Sequence, residues 1–125
     1  MAWRKSPPDL IARFDAALPA DPACARRLMF GCPAAFVHGN MFACLHQENV
    51  IVRLDPDGRA ALLRAGGGPF EPMPGRVMRE YVTLPESARG DARGLRRWIG
   101  KAFAYAATLP AKSRARRSPE PGVVR

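Results

Sequence analysis

The sequence holds no apolar run that approaches the ~20 residues needed to cross a bilayer. Its first residues, Met1-Ala2-Trp3-Arg4-Lys5-Ser6-Pro7-Pro8, carry charge with no apolar segment behind it, so neither a membrane span nor a signal peptide is expected. Cysteine is scarce: Cys24, Cys32 and Cys44 are an odd number with no close pair. That is a poor disulfide framework, and with the missing leader it points to the cytoplasm and to three free thiols. Only two histidines occur, His38 and His46. Structural zinc sites bring their ligands in close pairs such as C-x2-C, whereas these cysteines stand 8 and 12 residues apart and the histidines 8 apart, so no metal is expected. No G-x-S-x-G occurs, and Ser6, Ser87, Ser113 and Ser118 fall at helix caps, in a loop or in the tail, which leaves a hydrolase triad without a natural place. Gly66-Gly67-Gly68 runs into Pro69-Phe70-Glu71-Pro72 instead of the Lys-Ser/Thr and helix of a phosphate loop, and reads as a flexible connection. No cofactor and no enzymatic activity are expected.

What the chain does hold is enough apolar residue, 47% of 125, for one packed domain. It also holds an excess of positive charge, 20 basic against 11 acidic residues, for a formal net charge of +9. Residues 111–125 carry Lys112, Arg114, Arg116, Arg117 and Arg125 against Glu120, leaving a modest +5 on residues 1–110. The expected organisation is a domain over residues 1–110 and a basic, disordered tail over 111–125, which has no periodicity and little to bury. Such a balance attracts nucleic acid or acidic surfaces without specifying either.

Ser6 reads as the N-cap of a first helix, with Pro7 at its first position and Asp9 three residues on, close to a capping box. Leu10, Ile11, Phe14, Ala17 and Leu18 recur at helical spacing, and the prolines in 19–22 end the run. Strands are expected over 26–30, 34–38, 41–46 and 50–54. Pro33, which cannot donate to a ladder, is expected in a connection or on an edge. Gly39-Asn40 reads as a two-residue hairpin turn and Gln47-Glu48-Asn49 as the next turn. Strands this close in sequence can only form an antiparallel meander. Asp55-Pro56-Asp57 opens a second helix that Gly66 ends, residues 78–84 form a fifth strand, and Asp91 opens a last helix that Pro110 stops. The order α-β-β-β-β-α-β-α argues for an α+β domain: an antiparallel sheet of about five strands with helices on one face. Phe14, Phe30, Phe36, Leu45, Val52, Trp98 and Ile99 are expected in its core.

Residues 29–45 carry the one family-specific wording. Met29-Phe30-Gly31, a short apolar strand, then Met41-Phe42-Ala43 and another, with Arg26-Arg27 before them and Val50-Ile51-Val52-Arg53-Leu54 after, resembles the N-terminal domain of the TfoX/Sxy competence-regulator family. The similarity runs over about residues 6–109. It implies the same α+β fold and a bacterial regulator of competence genes, acting with the cAMP receptor protein at promoters rather than as an enzyme. Full-length members carry a second, C-terminal domain, for which this chain is too short, so the resemblance is to the N-terminal domain standing alone. The matching residues are packing and turn residues, and no functional residue transfers with them.

Among candidate sites, Arg93, Arg97 and Lys101 are spaced i, i+4, i+8 on the last helix, opposite its apolar face of Leu95, Trp98, Ile99, Ala102, Ala106 and Leu109. Tyr105 extends the row, and with the tail these residues would form a positive strip able to hold phosphate or an acidic partner. The Met-Phe dipeptides read as core, or as the lining of a ligand pocket. Cys44 and His46 share one face of a strand, but a reactive thiolate would need an electropositive pocket. Three functions follow. The first is a cytoplasmic regulatory module that binds a protein partner, with a homodimer among its possible assemblies and no membrane contact. The second is a small-molecule or enzymatic domain using a cleft beside the 66–79 loop. The third is a weak, nonspecific nucleic-acid binder. An enclosed polar pocket near Arg76, Arg79 and Tyr81 would favour the second, and a flat, mostly apolar surface or an open edge strand the first.

Overall fold

The first helix, α1 (Pro8–Ala17), follows a Pro7 cap in extended conformation and buries Leu10, Phe14 and Ala17. Ser6 is not the cap expected of it. Its hydroxyl is buried and turned to the Cys32 thiol at 3.6 Å, so Pro8, not Pro7, takes the first helical position. The structure, a computed structural model, describes residues 6–29, 31–72 and 74–111. The expected core residue Phe30 and the tail 112–125 lie outside the described residues.

Four strands follow as a meander: β1 (Cys24–Met29), β2 (Cys32–Val37), β3 (Asn40–His46) and β4 (Asn49–Arg53). The β2–β3 turn is His38-Gly39, not Gly39-Asn40. Both residues have positive φ, 52° and 82°, the signature of a tight turn whose twist suits a hairpin. Asn40 instead opens β3, buried, and its side-chain amide donates to the Pro110 carbonyl at 3.0 Å, tying the turn to the end of the last helix. Pro33 lies inside β2, opposite Leu28 of β1. The ladder to β3 begins only at Ala34, so the missing N–H falls where β2 has a single partner.

Asp55 caps α2 (Pro56–Arg64), accepting the Gly58 N–H at 2.7 Å. The chain then forms β5 (Gly68–Pro69), a short edge strand that can hold a proline, and β6 (Tyr81–Thr83). β6 is shorter than the 78–84 expected because the Met78 carbonyl accepts the Tyr81 N–H and turns residues 78–80 out of the ladder. A four-residue α3 (Glu86–Arg89) precedes α4 (Ala92–Ala107), whose cap, Asp91, accepts the N–H groups of Arg93 and Gly94.

The result is α+β: a six-stranded antiparallel sheet ordered β1-β2-β3-β4-β6-β5, one strand more than expected. Helices α1 and α4 cover one face. There α4 buries Leu95, Trp98, Ile99, Ala102 and Ala106 against Ala35, Val37, Leu45, Val50 and Val52. Each Leu, Ile or Val so buried contributes about 1.5–3 kcal/mol. Phe14, Leu45, Val52, Trp98 and Ile99 are buried as expected, whereas Phe36 is only half-buried because it faces the opposite side of the sheet.

That division of faces comes from a bulge. Ala35 pairs with Ala43 but Phe36 with Met41, so Phe42 is the extra residue of β3. Phe42 therefore enters the helix-covered core, fully buried and edge-to-face with Phe103 at 5.3 Å, while Met41 is left on the other face. No helix among the described residues is long and apolar enough to cross a membrane.

Candidate functional site: an open edge and the uncovered sheet face

Arg93, Arg97 and Lys101 all stand exposed on α4, opposite its buried face. The Arg97 guanidinium lies over the Trp98 ring at 5.5 Å. Arg97 and Lys101 border neighbouring depressions of a groove between α2 and α4, of about 400 and 610 Å³, which share Ala61 and Trp98 in their floors. Tyr105 lies beside Lys101. Arg93 lines neither depression. The Lys101 end also presents Asp55 and Asp57, so a phosphate entering there would meet carboxylates as well as the ammonium group.

The second face of the sheet has different chemistry. Ala34, Cys44 and Ile51 are buried on it beneath Phe70, with Phe36, Met41 and Tyr81 around them. Phe70 is held edge-on by His46 at 5.4 Å and Tyr81 at 6.4 Å. Beside it opens a cavity of about 180 Å³ whose lining, almost wholly apolar, includes Met29, Met41, Cys44, Phe70, Pro72 and Met78. This is the hollow beside the 66–79 loop, and it is not polar. Arg76 and Arg79 are exposed, and the Tyr81 hydroxyl is taken up by the Met41 carbonyl at 3.2 Å.

The loop that delivers Phe70 starts in close contact with α2 and β6. Gly66 sits at φ 108°, and a Cβ on Gly67 would come within 2.8 Å of the Thr83 carbonyl oxygen and 2.9 Å of that of Leu62. Glycine at 67 is what lets the chain pass between the end of α2 and β6.

Cys44 and His46 do share this face, as their spacing implied, and both line the cavity. Burial pushes the Cys44 thiol up to about 12, with the nearby Cys32 thiol adding to the effect. An activated nucleophile needs the opposite shift. Burial, then Asp21, also raises Cys24, and burial raises Tyr81, with the Arg53 guanidinium partly opposing it. All three cysteines are free thiols, and no cluster of three or more His, Cys, Asp or Glu suited to a metal occurs among the described residues.

β1 is an edge strand of the sheet. Among the described residues β1 pairs with β2 alone, and from Ala25 to Met29 every residue is exposed. Leu28 is 64% and Met29 36% exposed. Arg26 is held by Asp15 of α1 at 3.0 Å, while the Arg27 guanidinium stacks over Phe36 at 4.2 Å on the second face. Met29 joins the edge to the apolar cavity.

The domain is α+β, with α1 and α4 on one sheet face and an apolar cavity beside Phe70 on the other. Its sequence matches the family profile of the TfoX N-terminal domain over residues 17–106, and the chain belongs to that family. No curated protein matches it. Reasoning from sequence missed Phe70 as a lid and the cavity it closes. The signal was present in Val50-Ile51-Val52: three consecutive apolar residues in a strand bury both faces of a sheet, which one layer of helices cannot explain.

Proposed function

We propose that this chain is a non-catalytic interaction module, a TfoX-type regulatory domain that docks a protein partner in the cytoplasm and contributes to transcriptional control of competence-type genes. One observation carries the reading: β1 exposes Leu28 and Met29 at a strand edge unpaired among the described residues, and Met29 lines the apolar cavity on the sheet face opposite α1 and α4. Exposed large apolar residues grouped at an unpaired strand mark an interaction surface. The raised Cys44 thiol and the apolar lining of the cleft beside the 66–79 loop speak against covalent or polar chemistry there. The test is affinity capture from native lysate before and after nuclease, using wild type and the double variant Leu28→Asp, Met29→Asp. Retention of a partner after nuclease by wild type, and its loss from the edge variant, is the expected result. A partner that leaves with nuclease, or that binds both forms alike, refutes the reading.

A further inference from the structure

We propose that the hollow beside Phe70 is a metal site in its own right, taking a soft monovalent cation, Cu(I), on the Cys44 sulfur and the thioethers of Met29, Met41 and Met78. The lining is the first support. The chain has five methionines, and every one among the described residues, Met29, Met41 and Met78, lines this hollow together with Cys44. The strands explain the convergence. Cys44 stands opposite Ala34 on this face, and the bulge at Phe42 puts Met41 on the same face, towards the hairpin turn. Met29 lies towards the other end, across β2, where it pairs with Cys32. Met78 comes in from the loop, its N–H donating to the Phe70 carbonyl at 2.9 Å. Cys44 thus lies between thioethers supplied by β1, by its own strand and by the loop.

Sulfur donors choose the metal. Thioethers and thiolates are soft ligands that select Cu(I), whereas hard cations such as Mg²⁺ and Ca²⁺ want oxygen. Charge then sets the valence. The lining contains no carboxylate, and Cys44 is its one side chain able to become an anion. On binding, the Cys44 S–H bond breaks, a metal–sulfur bond forms, and the proton leaves to solvent. One thiolate and one monovalent ion make a neutral centre. A divalent ion would keep a net positive charge in an apolar hollow, which is costly. Exposed Arg76 and Arg79, on the same loop as Met78, would add to that cost.

Size and access suit an ion better than a molecule. The hollow measures about 180 Å³. Small-molecule and cofactor sites run to ~300–1,000 Å³. A bond from a d¹⁰ metal ion to thiolate sulfur is roughly 2.3 Å, so the thioethers must draw inwards to share one ion. Methionine, unbranched and with three rotatable bonds, can make that movement. Met29 and Met78 are each 36% exposed, so two of the side chains that line the hollow also reach the surface and give an ion its path inward. Leu28, the exposed residue of the β1 edge, does not line the hollow, so a variant there separates metal binding from partner docking.

The test offers Cu(I), without oxygen and in competition with the chelator bicinchoninate, to the reduced full-length chain labelled with ¹⁵N and with ¹³C-methyl methionine. One copper retained per chain, with the methyl signals of Met29, Met41 and Met78 shifting together, is expected. Cys44→Ala, and separately the triple variant Met29→Leu, Met41→Leu, Met78→Leu, should weaken retention at least tenfold, while Cys24→Ser leaves it unchanged. Leucine is close to methionine in volume, so the triple variant should keep the wild-type amide spectrum away from the hollow. If it does not, Met78→Leu alone, in the partly exposed loop, carries the test and should also weaken retention. Zn(II) should not displace the copper, and Leu28→Asp should hold it as wild type does even where partner capture is lost. No retention against the chelator, retention unchanged by Cys44→Ala or by the methionine variants, loss of copper in Cys24→Ser, or Zn(II) held as tightly by the same residues would overturn the proposal.

Discussion

Phe42 and Met41 are neighbours in sequence, but the bulge in β3 sends them to opposite faces, and their truncations should differ accordingly. Phe42 is fully buried beneath α4 and meets Phe103 edge-to-face at 5.3 Å. Truncating such a residue to Ala removes its transfer free energy and leaves a cavity, together about 3–5 kcal/mol. The lost ring pair is worth about 0.5–1.5 kcal/mol beyond burial, which places Phe42→Ala in the upper half of that range. A small domain has only about 5–15 kcal/mol in all. With a urea slope of about 1–3 kcal/mol per molar, the unfolding midpoint should fall by roughly 2 M. Met41 is half-buried on the open face, and Met41→Ala should cost only about 1 kcal/mol. Urea unfolding followed by Trp98 fluorescence, with slopes compared, measures both. A Phe42→Ala shift under about 0.5 M, or equal shifts for the two variants, would refute the assignment of faces.

Gly67→Ala should lower stability by about 1–3 kcal/mol, because the new methyl meets two backbone carbonyls, while Gly68→Ala, with open space around it, should cost far less; thermal melts of the pair decide it. In the native protein, Ellman's reagent should react first with half-buried Cys24 and much more slowly with Cys32 and Cys44, all three titrating once the chain is unfolded. The Cys44 thiol stands at about 12 in the fold against an ordinary 9.0, so its neutral form stabilises the protein fully below pH 9, and that contribution is lost as pH rises from 9 towards 12. Wild type should therefore lose stability faster than Cys44→Ala over that range; parallel curves would contradict the burial of the thiol. Replacing Arg93, Arg97 and Lys101 together by Gln should leave the melting temperature within a few degrees. It should reduce both the strength and the salt slope of any duplex binding, which for wild type is expected near ~10⁻⁴–10⁻⁶ M at physiological salt. Tight, salt-resistant, sequence-selective binding would make direct DNA recognition the primary function.

The helix-covered half of the molecule was legible because it obeys simple periods. Leu10, Phe14 and Ala17, and Leu95, Trp98, Ile99, Ala102 and Ala106, repeat as a helix must to bury one side. Asp55 and Asp91 announced their caps through side-chain chemistry that acts within three residues. What was not legible depends on contacts distant in sequence. Ser6 looked like a cap until Cys32, 26 residues away, claimed its hydroxyl. Asn40 looked like a turn residue until Pro110 claimed its amide. The extra residue at Phe42 breaks the alternation by which Met41 and Cys44 would have been assigned to opposite faces, and it hid the second apolar layer. Phe70 reaches that layer from a loop without periodicity, so no local pattern revealed the cavity. Arg93, Arg97 and Lys101 were correctly placed on an exposed helix face, but Asp55 and Asp57 reach the same groove from another element.

The central claim, that β1 and the apolar face beside it receive a protein partner, is tested most directly by site-specific photo-crosslinking in the native host. Benzoylphenylalanine is placed at Leu28 in one strain and at Lys101 in another. The account predicts a discrete, protease-sensitive, nuclease-resistant adduct from position 28 and none of comparable yield from position 101. An adduct formed only from position 101, or one from position 28 that nuclease removes, would contradict it.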